Sequence, residues 1–523
     1  MVLYEWQKEC LKKWEAHQFS GIANVITGAG KTVLAISAIG LLEETLKEKK
    51  QKLRVRIVVP TTGLAHQWKI KLEEHLPHMF SEYEIGLFGG SRRDPYRRFC
   101  MIYVVNSARY SITRHIREDL QDGYHVLLIA DECHRYTSPE NRKIFDYRSF
   151  SSDSLLHVHT LGLSATPECA EYDSILKPAL GDEIYRYGFE EGVKGHTINS
   201  YRLGQIALSF TAQELARYDG ITSKMNAISR QLREEYPSLK ALHPSAFFQL
   251  IRHLASEEEE LPAQYLSLAF LRAGISQNAS ARISCSAALI RLLDPQEQIL
   301  IFCERISQAE ELYHRFHNSG YGKTVRYHSG LTKELRHISL DQFQTGEARI
   351  LISCKALDEG VDVPAVNIGI VLSCTAQSRQ RIQRLGRILR KNAKNNSAVL
   401  YYLHVKESAD DSAYLPDRTD PSRIFSLEYS LSEDSFLNHA YEAQAANLWA
   451  EAMERFPNEA DKLEELRSCL IEGLVRQDWM ETVSYCNDKI LHVSNQHARN
   501  YWICMKRISA SRTSTSDHSK SVS

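Results

Sequence analysis

The chain contains no C-x-x-C pair. Its 11 cysteines are odd in number and scattered, which argues against a disulfide framework or a structural zinc site and fits a reducing compartment. It also lacks long apolar runs. No stretch approaches the roughly 20 residues that a bilayer-crossing helix needs, so no membrane role is expected. The N-terminal MVLYEWQKEC has acidic residues and no apolar h-region, and does not read as a signal peptide. A cytoplasmic location follows as the expectation. Net charge is nearly absent: 64 basic residues stand against 65 acidic ones, a formal −1. That excludes a globally basic coat for nucleic acid, but not a local basic groove, because binding depends on where charge sits. The 523 residues suffice for about two to four domains, each with its own core.

What is present is rhythm. Two blocks alternate short Val/Ile-rich runs with helical patterns. The first holds GIANVI, RVRIVVP, MIYVV, HVLLIADE and HTLGLSAT; the second holds QILIFCE, TVRYH, RILISC, VNIGIVLS and SAVLYYL. Continuous apolar runs suit strands buried on both faces of a parallel sheet. Open sheets of that kind bind ligands at the carboxyl ends of their strands. The fold class predicted is α/β, with two tandem domains. Residues 1–200 form the first and 294–425 the second, and neither carries a nuclease signature (D…E-x-K after an apolar run, or an H-x-K pair). Between them, 201–293 reads as a helical linker or insert, with helical periodicity from Thr211 onward. Residues 426–508 read as a helical C-terminal region, and the Ser/Thr-rich 509–523 as a disordered tail.

The most chemical stretch of the first block is ITGAGKT, after GIANVI and before an apolar helix. A Gly-rich turn points successive backbone N–H groups at phosphate oxygens, and the following helix adds its positive end. Thr27, Gly28, Ala29, Gly30, Lys31 and Thr32 are therefore candidate nucleotide-binding residues. Lys31 would reach the β- and γ-phosphates of ATP, and the Thr32 hydroxyl would meet Mg²⁺. The first glycine of the usual G-x-x-x-x-G-K-[ST] pattern is missing.

A second feature complements the turn. HVLLIADECHRY ends an apolar strand on Asp131 and Glu132. Adjacent strand residues point to opposite faces, and burying two carboxylates without charge partners is costly. A magnesium ion beside a phosphate loop supplies one partner. Asp131 is the candidate metal ligand and Glu132 the residue that polarises the attacking water.

GAGKT, DECH, LSATP (Leu163–Pro167) and LGRILR occur in that order, joined by VVPTTGLAHQW (Val58–Trp68), YHSGLTKELR (Tyr327–Arg336) and KALDEGVDVP (Lys355–Pro364). The set resembles superfamily 2 helicases of the DExH type, within them the XPB-like and type III restriction helicase-subunit group, over about Leu3 to Val405. The resemblance implies two RecA-like domains, with ATP in the cleft between them and nucleic acid running across both. By it, Gln7 in LYEWQKE matches an adenine-reading glutamine, although Tyr4 stands where an arginine is common. Ser164 and Thr166 match the segment coupling hydrolysis to domain movement. Thr61, Thr62, Asn106 and Ser107 fall where the first domain touches phosphates of nucleic acid, and His328, Ser329, Gly330, Ser353 and Lys355 where the second does. Gly360 and Asp362 match residues approaching the nucleotide from the second domain.

RQRIQRLGRILR holds arginines at 379, 381, 384, 387 and 390. On a helix, residues three apart differ by about 60° in direction, so the last four fan across half the circumference and cannot all face one strand. The family pattern implies that Gln383 sits beside the triphosphate, that Arg387 and Arg390 point at it, and that Arg384 braces the domain interface. Arg379 and Arg381 keep the reading of basic surface or phosphate contact.

The function implied is an ATP-dependent DNA helicase or translocase. An ATP-gated switch that binds nucleic acid or a partner without unwinding is the alternative, with an RNA helicase as a variant; DECH, PTTGLAHQ and QRLGRILR depart from the DEAD-box RNA pattern. Trp479, Tyr485, Tyr501 and Trp502 lie in a segment resembling one tetratricopeptide-like hairpin, which leaves a protein partner at the C-terminal region possible, although an aromatic stripe is more often core and repeat arrays need about three units.

Overall fold

Two eight-stranded sheets organise the computed structural model. It describes residues 3–75, 84–354 (less 168, 170, 241, 243, 294 and 318), 366–373, 397–411 (less 407 and 410), 424–437, 483–493 and scattered positions between 450 and 510. The chain divides into two units, the first built on residues 1–200 and the second beginning at Tyr201.

The strands of the first unit are β1 (Ser20–Val25), β2 (Lys52–Val59), β3 (Ile85–Gly89), β4 (Arg92–Arg93), β5 (Cys100–Val104), β6 (Tyr124–Asp131), β7 (Val158–Ser164) and β8 (Glu183–Tyr187). Their order is β4-β3-β5-β2-β6-β7-β1-β8, and all neighbours run parallel except the β3–β4 hairpin. The continuous apolar runs have the expected cause: β5 and β7 are buried along their whole length. Helix α1 (Glu5–Ala16) places Trp6, Cys10 and Trp14 on one face. Trp14 donates its indole N–H to the Thr160 carbonyl at 2.8 Å and so pins the helix to β7. Helix α2 (Lys31–Glu48) buries Leu34, Ala35, Ile36, Ala38, Ile39, Leu42 and Leu46. Helix α3 (Thr62–His75) follows β2 and packs on β2, β3 and β5. Helices α4 (Val105–Ala108) and α5 (Ile112–Gln121) follow β5.

One buried ion pair staples this unit. Arg56 on β2 is fully buried and donates through Nε to Asp119 Oδ2 of α5 at 2.8 Å, while its Nη1 meets the Arg98 carbonyl at 3.1 Å.

The second unit carries β9 (Ser200–Leu208), β10 (Ile299–Cys303), β11 (Thr324–Tyr327), β12 (Ile350–Cys354), β13 (Ile368–Val371), β14 (Ser397–Val405), β15 (Ile424–Ser430) and β16 (Ser435–Leu437), in the order β11-β12-β10-β13-β14-β9-β15-β16. Helices Ala212–Glu235, Pro244–Ser256 and Glu260–Gln277 lie between β9 and β10 and enclose a small core of Leu232, Leu239, Phe247 and Ile251. Helix Ser280–Leu292 instead joins the main core of this unit.

Two stretches differ from the composition. Residues 201–208, grouped with the helical insert on sequence, form β9 inside the second sheet, where Arg202 places its guanidinium over the Phe425 ring at 4.4 Å. The chain after Ser426, expected to be helical, first completes β15 and the antiparallel β16. The described part of the C-terminal region includes the helix Val483–His492. Among the described residues, no helix is long and apolar enough to cross a membrane.

Candidate active site

The strand order divides the carboxyl rim of the first sheet. β6, β7 and β1 are neighbours, and their ends carry DECH, LSATP and the phosphate turn; β2 and β5 are neighbours on the other side, and their ends carry Thr61–Thr62 and Asn106–Ser107. Each motif thus lies on the rim where parallel sheets bind ligands.

After β1, Gly28 and Gly30 take φ values of 91° and 104°, a region open to glycine and strained for other residues. Gly30 ends the turn, and α2 starts at Lys31. Gln7 is buried against this turn: its Nε2 donates to the Gly30 carbonyl at 3.1 Å, and its Oε1 accepts the Tyr4 N–H at 3.0 Å. A Cβ on Gly30 would come within 3.0 Å of that Nε2. Gln7 therefore ties α1 to the turn while keeping one amide hydrogen for another acceptor.

Lys31 reaches across the end of β7 to Glu132, Nζ to Oε1 at 3.0 Å. Glu132 adopts φ 49° and ψ 49°, a left-handed conformation uncommon for a non-glycine residue. That residue breaks the strand alternation that would send Asp131 and Glu132 to opposite faces. Its backbone N–H donates to Asp131 Oδ1 at 3.1 Å. Asp131 Oδ2 accepts the indole N–H of Trp68 at 2.8 Å, and the Asp131 carbonyl accepts the Tyr136 hydroxyl at 2.6 Å.

Burial, reinforced by the Glu132 charge, pushes the Asp131 carboxyl up to about 6, against the pull of Lys31 and Trp68. Burial would raise Glu132 too, but Lys31, His134 and Arg135 hold it below the ordinary carboxylate value. The pair is thus split into one strongly ionised group and one more easily protonated. His134 Nδ1 shares a hydrogen bond with Ser164 Oγ at 2.8 Å, and Ser164 Oγ accepts the Thr166 N–H at 3.0 Å, so LSATP is wired to DECH.

Among the described residues, three buried oxygens on this rim have no hydrogen-bond partner: Thr27 Oγ1, Thr166 Oγ1 and Glu132 Oε2, the last lying 3.6 Å from His134 Nδ1. Leaving such atoms unsatisfied costs about 1–3 kcal/mol each. A polar ligand with bound water would relieve that cost, and the donor set of Lys31, Thr32, Asp131 and the turn's backbone suits a metal–triphosphate.

At the other half of the rim, Thr61 Oγ1 accepts the Leu64 N–H at 3.3 Å and caps α3, and Thr62 and Asn106 are exposed. In the second unit, Ser329 and Gly330 are exposed. His328 and Ser353 are buried; His328 is held through Nε2 by Glu310 Oε1 at 2.6 Å. Lys355, Gly360, Asp362, Gln383, Arg384, Arg387 and Arg390 lie outside the described residues, as do Arg379 and Arg381. Two partners of Asp131 were not foreseen from sequence, Trp68 and Tyr136. The available signal was a tryptophan in the polar segment GLAHQW, since a buried indole N–H needs an acceptor.

A parallel sheet with a phosphate turn after one strand and paired carboxylates two strands away defines a RecA-like nucleotide-hydrolysing motor domain, here followed by a second α/β unit. Residues 1–169 match the family described as type III restriction enzyme, res subunit, and residues 284–392 the helicase conserved C-terminal domain. The DNA 3'-5' translocase XPB2 of Sulfurisphaera tokodaii is 30% identical over 412 residues, 78% of this chain and 82% of that protein. The DNA 3'-5' helicase XPB of Mycobacterium tuberculosis is 24% identical over 410 residues, 77% of this chain and 62% of that one. The Hef helicase domain of Pyrococcus furiosus superposes with a TM-score of 0.49 at 15% identity, covering 78% of this chain and 96% of that domain. The chain belongs to the XPB-like group of superfamily 2 helicases, which are ATP-dependent DNA helicases and translocases.

Proposed function

We propose that this chain hydrolyses ATP at the β1–β7–β6 rim and couples turnover to movement along DNA, in the 3'-5' sense carried by the names of its relatives. The observation that supports this most is the Lys31–Glu132 pair at 3.0 Å. A triphosphate carries more negative charge than one carboxylate and would compete for the Lys31 ammonium. Transfer of the ammonium to the phosphates leaves Glu132 Oε1 to accept a hydrogen bond from the attacking water, with Oε2 facing His134 Nδ1 at 3.6 Å and accepting no hydrogen bond. The depressed Glu132 carboxyl is ionised at neutral pH, as that role requires.

The turn Thr27–Thr32 would cradle the phosphates, and Gln7 would offer its remaining amide hydrogen to the base. Magnesium is usually held by one or two carboxylates together with substrate phosphates, and Asp131 with the Thr32 hydroxyl supplies that donor set; when bound, the ion neutralises phosphate charge. Gly360, Asp362, Gln383, Arg387 and Arg390 keep the roles that their motifs imply. On the β2–β5 half of the rim, Thr61, Thr62, Asn106 and Ser107 would meet the DNA backbone. A cytoplasmic location and a protein partner at the C-terminal region are further proposals. The second has little support from the rings there, since Tyr485 and Trp502 pack edge-on against each other at 5.9 Å.

The test is strand displacement with ATP and Mg²⁺ on duplexes bearing a 3' or a 5' tail, alongside ATP turnover on single-stranded DNA, duplex DNA and RNA. DNA-stimulated turnover with displacement or translocation supports the reading. Turnover with nucleic-acid clamping but no movement would make the chain an ATP-gated switch, and stimulation by RNA alone would make it an RNA motor.

A further inference from the structure

Asp131 is held by more than its own strand. Its two carboxylate oxygens take one donor each, the Glu132 backbone N–H on Oδ1 and the Trp68 indole N–H on Oδ2. A carboxylate offers about four lone-pair sites, so two remain. Rotation about the Cβ–Cγ bond would break both hydrogen bonds together. The first donor belongs to the adjacent residue and moves with it. The second arrives from 63 residues away in sequence, on a helix with its own cap and its own packing against β2, β3 and β5. It is therefore the contact that fixes the carboxylate relative to the sheet.

Trp68 is 2% exposed. A tryptophan needed only to fill that space could be replaced by an aromatic ring without an N–H. Here the N–H meets a buried, negatively charged acceptor, where a hydrogen bond is shorter and stronger than between neutral groups.

We propose that Trp68 is a positioning residue of the nucleotide site: its indole N–H orients the Asp131 carboxylate and thereby sets the affinity of the site for Mg²⁺. The proposal rests on the reading of Asp131 as the metal-binding carboxylate. Groups that hydrogen-bond metal ligands from outside typically change metal affinity by about 10–100-fold when removed, which sets the size of the effect.

The test uses the full chain and a fluorescent non-hydrolysable ATP analogue, titrated at equilibrium with and without Mg²⁺. Two replacements at position 68 are compared. Trp68→Phe removes the N–H with part of the ring. A site-specific β-(3-benzothienyl)alanine keeps the bicyclic shape and replaces N–H by sulfur, so the packing is retained should the phenylalanine variant fold poorly. A third variant, Leu72→Ala, removes a fully buried side chain from the same helix without touching the hydrogen bond. The expected result is a rise of about tenfold or more in the Mg²⁺ concentration that half-saturates nucleotide binding for both replacements of Trp68. Binding in EDTA should be unchanged, and Leu72→Ala should lower thermal stability without moving the Mg²⁺ midpoint. A Mg²⁺ midpoint within twofold of the unmodified protein in the benzothienyl variant would overturn the proposal. So would an equal shift in Leu72→Ala, which would reduce Trp68 to packing. If the unmodified protein shows no Mg²⁺-dependent nucleotide binding, the proposal falls with the reading of the site, and the failure is located there.

Discussion

Lys31 and Glu132 are ion-paired at 3.0 Å although their strands, β1 and β6, are separated in the sheet by β7. The reach depends on two backbone features: the left-handed Gly30 that launches α2 at Lys31, and the left-handed Glu132 that turns its side chain out of the strand pattern. Glu132→Gln keeps the shape and removes the charge. Nucleotide binding should survive and even strengthen, since Lys31 is released to the phosphates. Turnover should fall by about 10²–10⁴-fold, the usual contribution of a positioned general base. Equilibrium binding and steady-state turnover on the same preparation check the split; parallel loss of both would remove Glu132 from that role.

Arg56 and Asp119 make a different kind of pair, with almost no exposed surface on either side chain. Removing one partner of a buried pair leaves an uncompensated charge, at a cost of about 3–5 kcal/mol. Asp119→Ala should therefore destabilise the first unit by that amount in urea unfolding, far more than breaking a solvent-screened surface pair such as Lys8–Glu5.

The first unit should lose stability in acid. His125 shares hydrogen bonds of 3.1 Å with both His159 and His157, and His115 shares one of 2.8 Å with the Tyr103 hydroxyl. Burial, with neighbouring positive groups such as Lys49, His157 and Arg114, pushes His125, His159 and His115 down to about 4. Unfolded, each titrates near 6.5. The unfolded chain thus binds more protons throughout that window, so stability is complete above about pH 6.5 and is lost as pH falls towards about 4. Asp131, raised to about 6, and the raised Asp119 and Glu43 oppose this in the lower part of the window, where the depressed Glu132, Asp94 and Glu118 carboxyls act with the histidines. The denaturant midpoint measured from pH 7 to pH 4 should fall, and His125→Gln with His159→Gln should flatten the slope. An unchanged slope would show that these rings do not control it.

The parts of the site carried by local residue order were legible in sequence. GAGKT, DECH and LSATP fall at the ends of β1, β6 and β7 as their apolar runs imply. Strands with mixed composition were not legible. β9 contains the buried Arg202 and Gln205, whose side chains hide its buried register. β15 alternates buried and half-exposed residues in IFSLEYS, next to a strongly helical composition. β3 is the five-residue IGLFG, too short and too rich in glycine to stand out. Trp68 signalled a need for an acceptor, but that the acceptor is Asp131 could not be read, because the two ends lie 63 residues apart and meet only after α3 and β6 have folded together.

Arg387 and Arg390 carry a prediction from their motif. Each alanine substitution should lower turnover at saturating ATP and DNA by about 10³–10⁵-fold, the scale of a lost arginine finger. Arg379→Ala and Arg381→Ala should at most weaken DNA binding and reduce its salt dependence by about one unit of slope per lost phosphate contact. Turnover of the four variants, with a salt titration of binding, separates the two groups; equal small losses would return the whole stretch to basic surface.

The most direct measurement is DNA-stimulated ATP turnover by the unmodified chain and by Lys31→Ala, with folding of both checked by circular dichroism. Removing one preorganised charge from developing phosphate charge costs about 10²–10³-fold or more, while the core of α2, formed by Leu34, Ile36, Ile39 and Leu42, is untouched. The expected result is DNA-stimulated turnover in the unmodified chain and its loss in a folded Lys31→Ala protein that still binds DNA. Equal turnover in the two proteins would contradict it.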